Sequence, residues 1–134
     1  MPHDFPRPIA IRAAAAGISE FWQPKLVGAL NGQAVKLARL KGEFIWHAHP
    51  GEDELFLVLE GRLRIEFRRS GGEESSRSLE SGEMLIVPRG LEHRPVAMDE
   101  VLLLLFEPLG TRNTGDQDDP LFTAPTDMPL EAEG

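Results

Sequence analysis

The segments between the strand-like stretches of this chain leave no room for a crossover helix, and this spacing constrains the fold more than any other feature. Parallel neighbours need a connection of a dozen or more residues, usually helical, whereas antiparallel neighbours need only a turn. We therefore expect an all-β fold with antiparallel pairing. The predicted strands are Lys25–Leu30, Gln33–Leu40, Phe44–His49, Glu54–Glu60, Arg62–Arg69, Met84–Val87, His93–Met98 and Val101–Phe106.

Turn residues indicate how these strands connect. Asn31 and Gly32 both tolerate positive φ, so the pair predicts a β-hairpin between the first two strands. The glycine- and serine-rich stretch Ser70–Ser78 predicts a solvated loop. Val101–Phe106 is apolar at every position, which is typical of a central strand or of one that contributes to a subunit interface.

The two ends of the chain differ from its middle. A run of four alanines within residues 9–22 favours a helix, but Gly17 and Ser19 interrupt it, so only a short N-terminal helix is expected. From Gly110 onward the chain is rich in Pro, Asp and Thr, and an extended tail is predicted, part of which wraps a neighbouring surface. At 134 residues the chain fits one domain, divided into an arm (1–24), a β-barrel (25–109) and an acidic tail (110–134).

Composition excludes several classes of protein. The chain has no cysteine, which excludes disulfides and thiolate metal sites. No segment approaches the ~20 apolar residues of a membrane span, and no signal peptide is evident, so a cytoplasmic protein is expected. Of the formal charge of −8, six negative charges follow Arg112, and the remainder has no basic cluster that would indicate nucleic-acid binding.

Three histidines and an acidic cluster are the candidates for chemistry. His47 and His49 would share one face of a strand, although such a pair alone is more often structural. Glu54 opens the next predicted strand, with Glu52 and Asp53 as competing carboxylates. His93 follows a Pro-Arg-Gly turn. Three imidazoles with one carboxylate suit Mn, Fe, Co, Ni, Cu or Zn and leave positions open for water or substrate.

These residues resemble the two motifs of the cupin family. The first motif is matched by Gly42, His47, His49, Glu54 and Gly61, although four residues instead of five separate Gly42 from His47. The second motif is matched by Gly82, Pro88, Gly90 and His93, while Ala97 replaces its terminal asparagine.

The resemblance implies a double-stranded β-helix, or jelly-roll β-barrel, that holds one divalent transition metal per subunit. The implied metal ligands are His47, His49, Glu54 and His93, and the family spacing selects Glu54 over Glu52 and Asp53. The chain is also similar to small single-domain cupins labelled mannose-6-phosphate isomerase-like, a label that marks a shared fold.

Two functions are compatible with such a site. The first is a metal-dependent enzyme of isomerase, lyase or oxygenase type that acts on a small polar organic molecule, and the second is a binding or sensing module without turnover. No catalytic acid or base is identified, since nothing places Glu52 or Glu83 at the metal. A homodimer is expected from Val101–Phe106, the N-terminal arm and the apolar positions Leu55, Leu57 and Leu59.

Further residues are weaker candidates for lining the site. Trp46 alternates with the histidines and is expected to face away from it. The candidate cavity residues are Ile45, Phe56, Val58 and Met84, and the candidate anion-binding residues are Arg39, Arg62, Arg64 and Arg89.

Overall fold

A computed structural model describes residues 4–130 as a β-barrel preceded by one short helix. No helix in this range combines the length and apolar character needed to cross a membrane. The elements are α1 (Ile11–Ala15), β1 (Lys25–Leu30), β2 (Gln33–Glu43), β3 (Glu54–Glu60), β4 (Arg62–Arg68), β5 (Glu74–Glu80), β6 (Met84–Val87) and β7 (Glu92–Pro108).

Strand β7 is the central element because it pairs with three other strands. Its carboxyl-terminal half pairs with β3, its amino-terminal half pairs with β4, and β2 lies along its opposite edge. The order β1-β2-β7-β3-β6 is extended by β5, which pairs with β4. All of these pairings are antiparallel, and the predicted all-β jelly-roll barrel with a short N-terminal helix is confirmed.

The hairpin prediction is confirmed, whereas the bounds of two predicted strands and the predicted loop between β4 and β6 need correction. Asn31 and Gly32 have φ values of 51° and 76° and connect β1 to β2. His93–Met98 and Val101–Phe106 are not separate strands but parts of continuous β7. The predicted loop Ser70–Ser78 contains most of β5, which pairs with β4 from Arg62 to Arg68. Only Leu79 of β5 is buried, so its sequence lacks the apolar alternation by which strands are recognised.

The prediction of a strand at Phe44–His49 is wrong, because the β2–β7 ladder is interrupted there. Phe44 donates its N–H to the carbonyl of Pro95, but Pro95 has no N–H to return. Pairing resumes at His47 and His93, which exchange both backbone hydrogen bonds at 3.0 and 2.9 Å. One extra residue therefore lies on the β2 side, as in a β-bulge, and both Phe44 and His47 are buried.

Apolar side chains form two clusters on opposite sides of the sheet that contains β2, β3 and β7. The larger cluster fills the barrel and includes Trp22, Phe56 and Leu103. The smaller one lies on the other side, where Ala15 and Ile18 of the arm pack on Leu37 and Leu102. Helix α1 therefore covers part of a sheet face that would otherwise expose leucines.

The carboxyl-terminal segment, here residues 110–130, follows the barrel through a series of turns. Its Pro129 forms a bridge with Leu26 of β1, and its Thr111 and Thr114 are buried. The predicted acidic residues Glu131 and Glu133 lie outside the described residues.

Gly61 offers a test of the packing between the β3–β4 turn and β7. A Cβ on Gly61 would lie 2.7 Å from the carbonyl oxygen of Glu100, whereas a Cβ on Gly82 would meet nothing within 4 Å. The two glycines have similar φ values, 91° and 87°. Gly82→Ala should therefore cost only the positive-φ penalty of about 1–2 kcal/mol, and Gly61→Ala should cost more. Urea denaturation measures both, and equal losses would contradict the close approach at Gly61.

Candidate metal centre

Three separate parts of the barrel bring His47, His49, Glu54 and His93 to one point. His47 and His49 lie in the connection between β2 and β3, Glu54 is the first residue of β3, and His93 is the second residue of β7. All four side chains are buried, and one potential ligand atom from each lies within 4.8 Å of the others. The four residues that the motifs select are thus adjacent in the fold.

Backbone carbonyls orient two of the imidazoles. Nδ1 of His47 lies 3.0 Å from the carbonyl oxygen of Ile45, and Nδ1 of His93 lies 2.9 Å from that of Leu91. Since a carbonyl only accepts hydrogen bonds, each Nδ1 carries the proton when the ring is neutral. The Nε2 lone pairs are then available to a metal, as is typical of metal-ligating histidines.

The ligand atoms have little else to bind. Oε1 of Glu54 lies 3.4 Å from Nε2 of His49 and 3.4 Å from Nε2 of His93. Even so, none of these three buried atoms has a hydrogen-bond partner in the described part of the chain. Buried polar atoms usually have partners, and exceptions indicate a bound ion or a functional role. The nitrogen and oxygen donor set fits a divalent transition metal.

The charges within the site shift the pKa values of its members. Burial, with a contribution from His93, lowers the pKa of His47 to about 4. Burial opposes the charged form of His49 too, but the adjacent Glu54 carboxylate outweighs it and raises the pKa of that ring. Burial likewise opposes ionisation of Glu54, yet His49 and His93 hold its pKa well below the usual range. Glu54 is therefore ionised, and His47 neutral, at neutral pH.

The competing carboxylates lie elsewhere. Asp53 accepts hydrogen bonds from the backbone N–H and the side chain of Arg89, at 2.9 and 3.2 Å. Glu52 accepts a hydrogen bond from the backbone N–H of Gly51, and Glu83 accepts one from the backbone N–H of Glu80. None of the three belongs to the cluster of four.

A buried ion-pair cluster beside the site was not anticipated from the sequence. Nζ of Lys36 lies 3.1 Å from Glu107 and 2.9 Å from Asp127, and it also donates to the carbonyl of Thr111 at 3.4 Å. Lys36 and Glu107 are only 3 % and 2 % exposed. Burial outweighs the attraction of Lys36 and, together with the Glu54 charge, raises the pKa of Glu107 well above its usual range.

The periodicity of β2 and β7 could have predicted this cluster from the sequence. Lys36 lies an even number of residues from the buried Ala34, Ala38 and Leu40 of β2, so it shares their face of the strand. Glu107 continues the inward series of Val101, Leu103 and Leu105 in β7. A charged residue at an inward position calls for a partner, and β2 and β7 are neighbours.

The carboxyl-terminal segment also braces the two-histidine segment. Asp116 accepts a hydrogen bond from the backbone N–H of Ala48 at 3.0 Å and donates its own backbone N–H to the carbonyl of Ala48 at 2.9 Å. A Cβ on Gly115 would lie 2.2 Å from that carbonyl oxygen and 3.2 Å from Nδ1 of His49. Nothing in the sequence pattern of residues 110–130 indicated this contact.

An apolar pocket opens beside the four ligands, with His47 and Glu54 in its wall. It measures about 410 Å³ when its opening to solvent is included. Of the four candidate cavity residues, Phe56 lines it, Ile45 and Val58 pack in the core, and Met84 is 57 % exposed on the outer surface. Trp46 is not among the lining residues, and its ring contacts Arg68 and Arg94.

The four candidate anion-binding arginines are all engaged by acidic groups. Their partners are Glu100 for Arg39, Glu80 for Arg62, Glu66 for Arg64 and Asp53 for Arg89. None of these arginines lines the apolar pocket.

A family model and several curated proteins match the sequence of this chain. Residues 36–106 match the family model described as "Cupin domain". An uncharacterized protein, YdbB of Bacillus subtilis (strain 168), is 40 % identical over 68 residues, which cover 51 % of this chain and 57 % of that protein. Germin-like protein subfamily 3 member 3 of Arabidopsis thaliana is 29 % identical over 87 % of this chain and 56 % of its own length. The chain thus spans about half the length of the curated relatives it matches.

Among solved structures, a cupin-2 domain containing protein from Shewanella frigidimarina NCIMB 400 is similar over most of its length. It shares 35 % sequence identity with this chain and superposes with a TM-score of 0.69. The match covers 75 % of this chain and 93 % of the other.

Replacing Lys36 tests whether the buried charges depend on one another. Lys36→Met leaves Glu107 and Asp127 without their shared cation and should lower the free energy of unfolding by about 3 kcal/mol, as when one partner of a buried pair is removed. The double variant Lys36→Met/Glu107→Gln removes one of the stranded carboxylates and should recover part of this loss. Urea denaturation of both variants and of Glu107→Gln at neutral pH measures the coupling. Simple additivity of the two single changes would contradict it.

Proposed function

The chain belongs to the cupin domain family, and on this premise we propose that it is a metal-dependent enzyme. The metal is one divalent transition ion per subunit, bound by His47, His49, Glu54 and His93, and the substrate is a small organic molecule in the adjacent pocket. The observation that carries this proposal is the convergence of four potential ligand atoms within 4.8 Å, with His47 and Glu54 of this cluster in the wall of that pocket.

The donor set supports Mn, Fe, Co, Ni, Cu or Zn, since imidazole and carboxylate ligands suit all of these ions. When bound, such an ion supplies Lewis-acid polarisation of a substrate carbonyl or hydroxyl oxygen. With these four residues as protein ligands, the ion would still have room in its coordination shell for substrate or water.

The residues of this chain position the ligands and control the environment. The carbonyls of Ile45 and Leu91 hold the rings of His47 and His93 with their Nε2 atoms toward the site. Glu54 supplies the negative charge that offsets part of the charge of the cation. Apolar side chains such as Phe56 and Leu105 line the pocket, and apolar surroundings strengthen electrostatic interactions.

Isosteric substitutions in the acidic cluster test the ligand assignment. Glu54→Gln should lower the affinity for the metal at least about tenfold, the scale found when even an outer-shell partner is lost. Asp53→Asn is the matched control and should bind metal as the unmodified protein does, because Asp53 pairs with Arg89 instead. Elemental analysis after reconstitution gives the stoichiometry, and competition with a chelator gives the affinity. A larger effect of Asp53→Asn than of Glu54→Gln would refute the assignment.

The alternative function, a binding or sensing module, shares the same site and differs only in turnover. Incubating the metal-loaded protein with a broad metabolite mixture distinguishes the two. Consumption of a compound that His93→Ala abolishes supports the enzyme. A compound that stabilises the protein against heat but is recovered unchanged supports the binding module.

We further propose a homodimer formed through the outer face of the β6–β3–β7 sheet. This face, opposite the barrel interior, carries Leu55, Leu57, Met84, Ile86 and Phe106. The cross-strand register places Leu55 between Ile86 and Phe106, so the patch is continuous. Met84 and Ile86 are 57 % and 55 % exposed. An uncharged apolar patch of this kind suits the same patch of a second copy across a two-fold axis.

Charge placed on this face should separate the subunits. Ile86→Glu is expected to convert a dimer to a monomer at micromolar concentration, because the dimer would bury an unpaired carboxylate. Met98→Glu is the matched control, since Met98 is 77 % exposed and lies outside the patch. Light scattering coupled to gel filtration reports the mass, and a monomeric unmodified protein would rule the dimer out.

A further inference from the structure

We infer that the pocket beside the four ligands selects an uncharged molecule with an apolar, preferably aromatic body and one polar group turned toward the metal. Sugars and phosphorylated compounds are excluded from it. This inference rests on the proposed metal site and specifies the substrate class that the site accepts.

Aromatic rings form one side of the pocket. Trp22 and Phe44 stack with ring centroids 4.7 Å apart and planes 22° from parallel, and Phe56 contributes a third ring. Phe44 also meets the His47 imidazole edge to face at 5.3 Å. A flat apolar body can pack against these rings while a polar substituent remains at the ligand end of the pocket.

The backbone at Trp22 is strained to place its ring there. Trp22 has a φ of 63°, an uncommon conformation for a bulky side chain. Its backbone N–H donates to the backbone carbonyl of Arg39 at 2.8 Å, and its indole N–H donates to the carbonyl of Lys41 at 2.9 Å. The polar part of the indole is therefore satisfied outside the pocket, and Trp22 contributes only apolar surface to the lining. Strain of this kind is concentrated at functional sites.

No arginine or lysine among residues 4–130 lines the pocket. The nearest buried cation, Lys36, directs its ammonium group to Glu107, Asp127 and Thr111, which uses its three N–H donors. A phosphate would instead meet the carboxyl groups of Glu54 and Glu107 in the wall. Apart from the metal itself, the pocket therefore has nothing to neutralise an anionic substituent.

The pocket offers few partners for hydroxyl groups, and its unpaired side-chain acceptors are the carboxyl oxygens Oε1 of Glu54 and Oε2 of Glu107 in the described part of the chain. Its one side-chain amide, Asn113, donates to the carbonyls of Trp22 and Phe122 and accepts from the N–H of Ala124. The hydrogen-bonding groups of the Asn113 side chain are thus already engaged. A sugar carries more hydroxyls than the two free carboxyl oxygens can pair, so it would bury several of them without partners, and each unpaired polar group carries a penalty.

Trp22 provides the readout for a binding test. The chain has two tryptophans, and Trp46→Phe leaves Trp22 as the single fluorophore at the pocket. Phenol and mannose 6-phosphate are titrated into this variant after manganese loading, and its metal content is measured on the same sample. We expect saturable quenching by phenol with a dissociation constant at least about tenfold lower than that of mannose 6-phosphate.

A pair of alanine substitutions on β2 locates the phenol. Ala38 lines the pocket, whereas Ala34 is equally buried on the same strand but does not. Ala38→Val should weaken phenol binding severalfold without changing metal content, and Ala34→Val should leave phenol binding unchanged. Isothermal titration of the unmodified protein repeats the ligand comparison without any substitution.

The outcomes separate the two proposals. A chain that binds no metal would overturn the proposed function. A metal-loaded chain that binds mannose 6-phosphate as tightly as phenol, or does not bind phenol, would overturn the substrate class alone. Equal effects of Ala38→Val and Ala34→Val would likewise overturn the assignment of phenol to this pocket.

Discussion

Three imidazoles and a carboxylate converge inside the barrel without satisfying one another, and much of the structure serves to keep them there. Leaving a buried polar atom without a partner costs about 1–3 kcal/mol, and more when the group is charged. Nε2 of His49 and His93 and Oε1 of Glu54 all lack partners among residues 4–130. The surrounding fold must supply part of the free energy that holds them together, because their mutual attraction leaves these three atoms without hydrogen-bond partners.

The long strand β7 and its irregular pairing with β2 help to hold these side chains in place. Pro95 withholds a hydrogen bond from Phe44, and the resulting bulge sets His47 directly opposite His93. A regular strand would place Phe44 and His47 on opposite faces, because their separation is odd. The bulge instead buries both side chains. Asp116 then fixes Ala48, the residue between His47 and His49, from the other side.

The sequence was sufficient for the parts of the fold and site that depend on local pattern. Connections too short for a crossover helix predicted antiparallel pairing, the Asn31–Gly32 pair predicted the first hairpin, and the cupin motif spacing selected Glu54 from three adjacent acidic residues. Strand β5 was not predicted because only its Leu79 is buried, and backbone pairing with β4 does not require an apolar pattern in the sequence. The sequence did not predict the ion-pair cluster of Lys36, Glu107 and Asp127. Its formation depends on the path of residues 110–130, which contain no periodic pattern.

The ion-pair cluster and the apolar pocket are related through the dielectric environment of the site. Apolar walls strengthen attraction between a cation and Glu54, but they would also strengthen repulsion between Glu54 and Glu107. The raised pKa of Glu107, which favours its neutral form, and the charge of Lys36 both offset that repulsion, and Lys36 also pairs with Asp127 of the carboxyl-terminal segment. A second carboxyl group can therefore lie beside Glu54 while Lys36 remains outside the lining of the pocket. The same arrangement leaves the pocket without an available cation, so the metal would be the only positive centre that a substrate meets among residues 4–130.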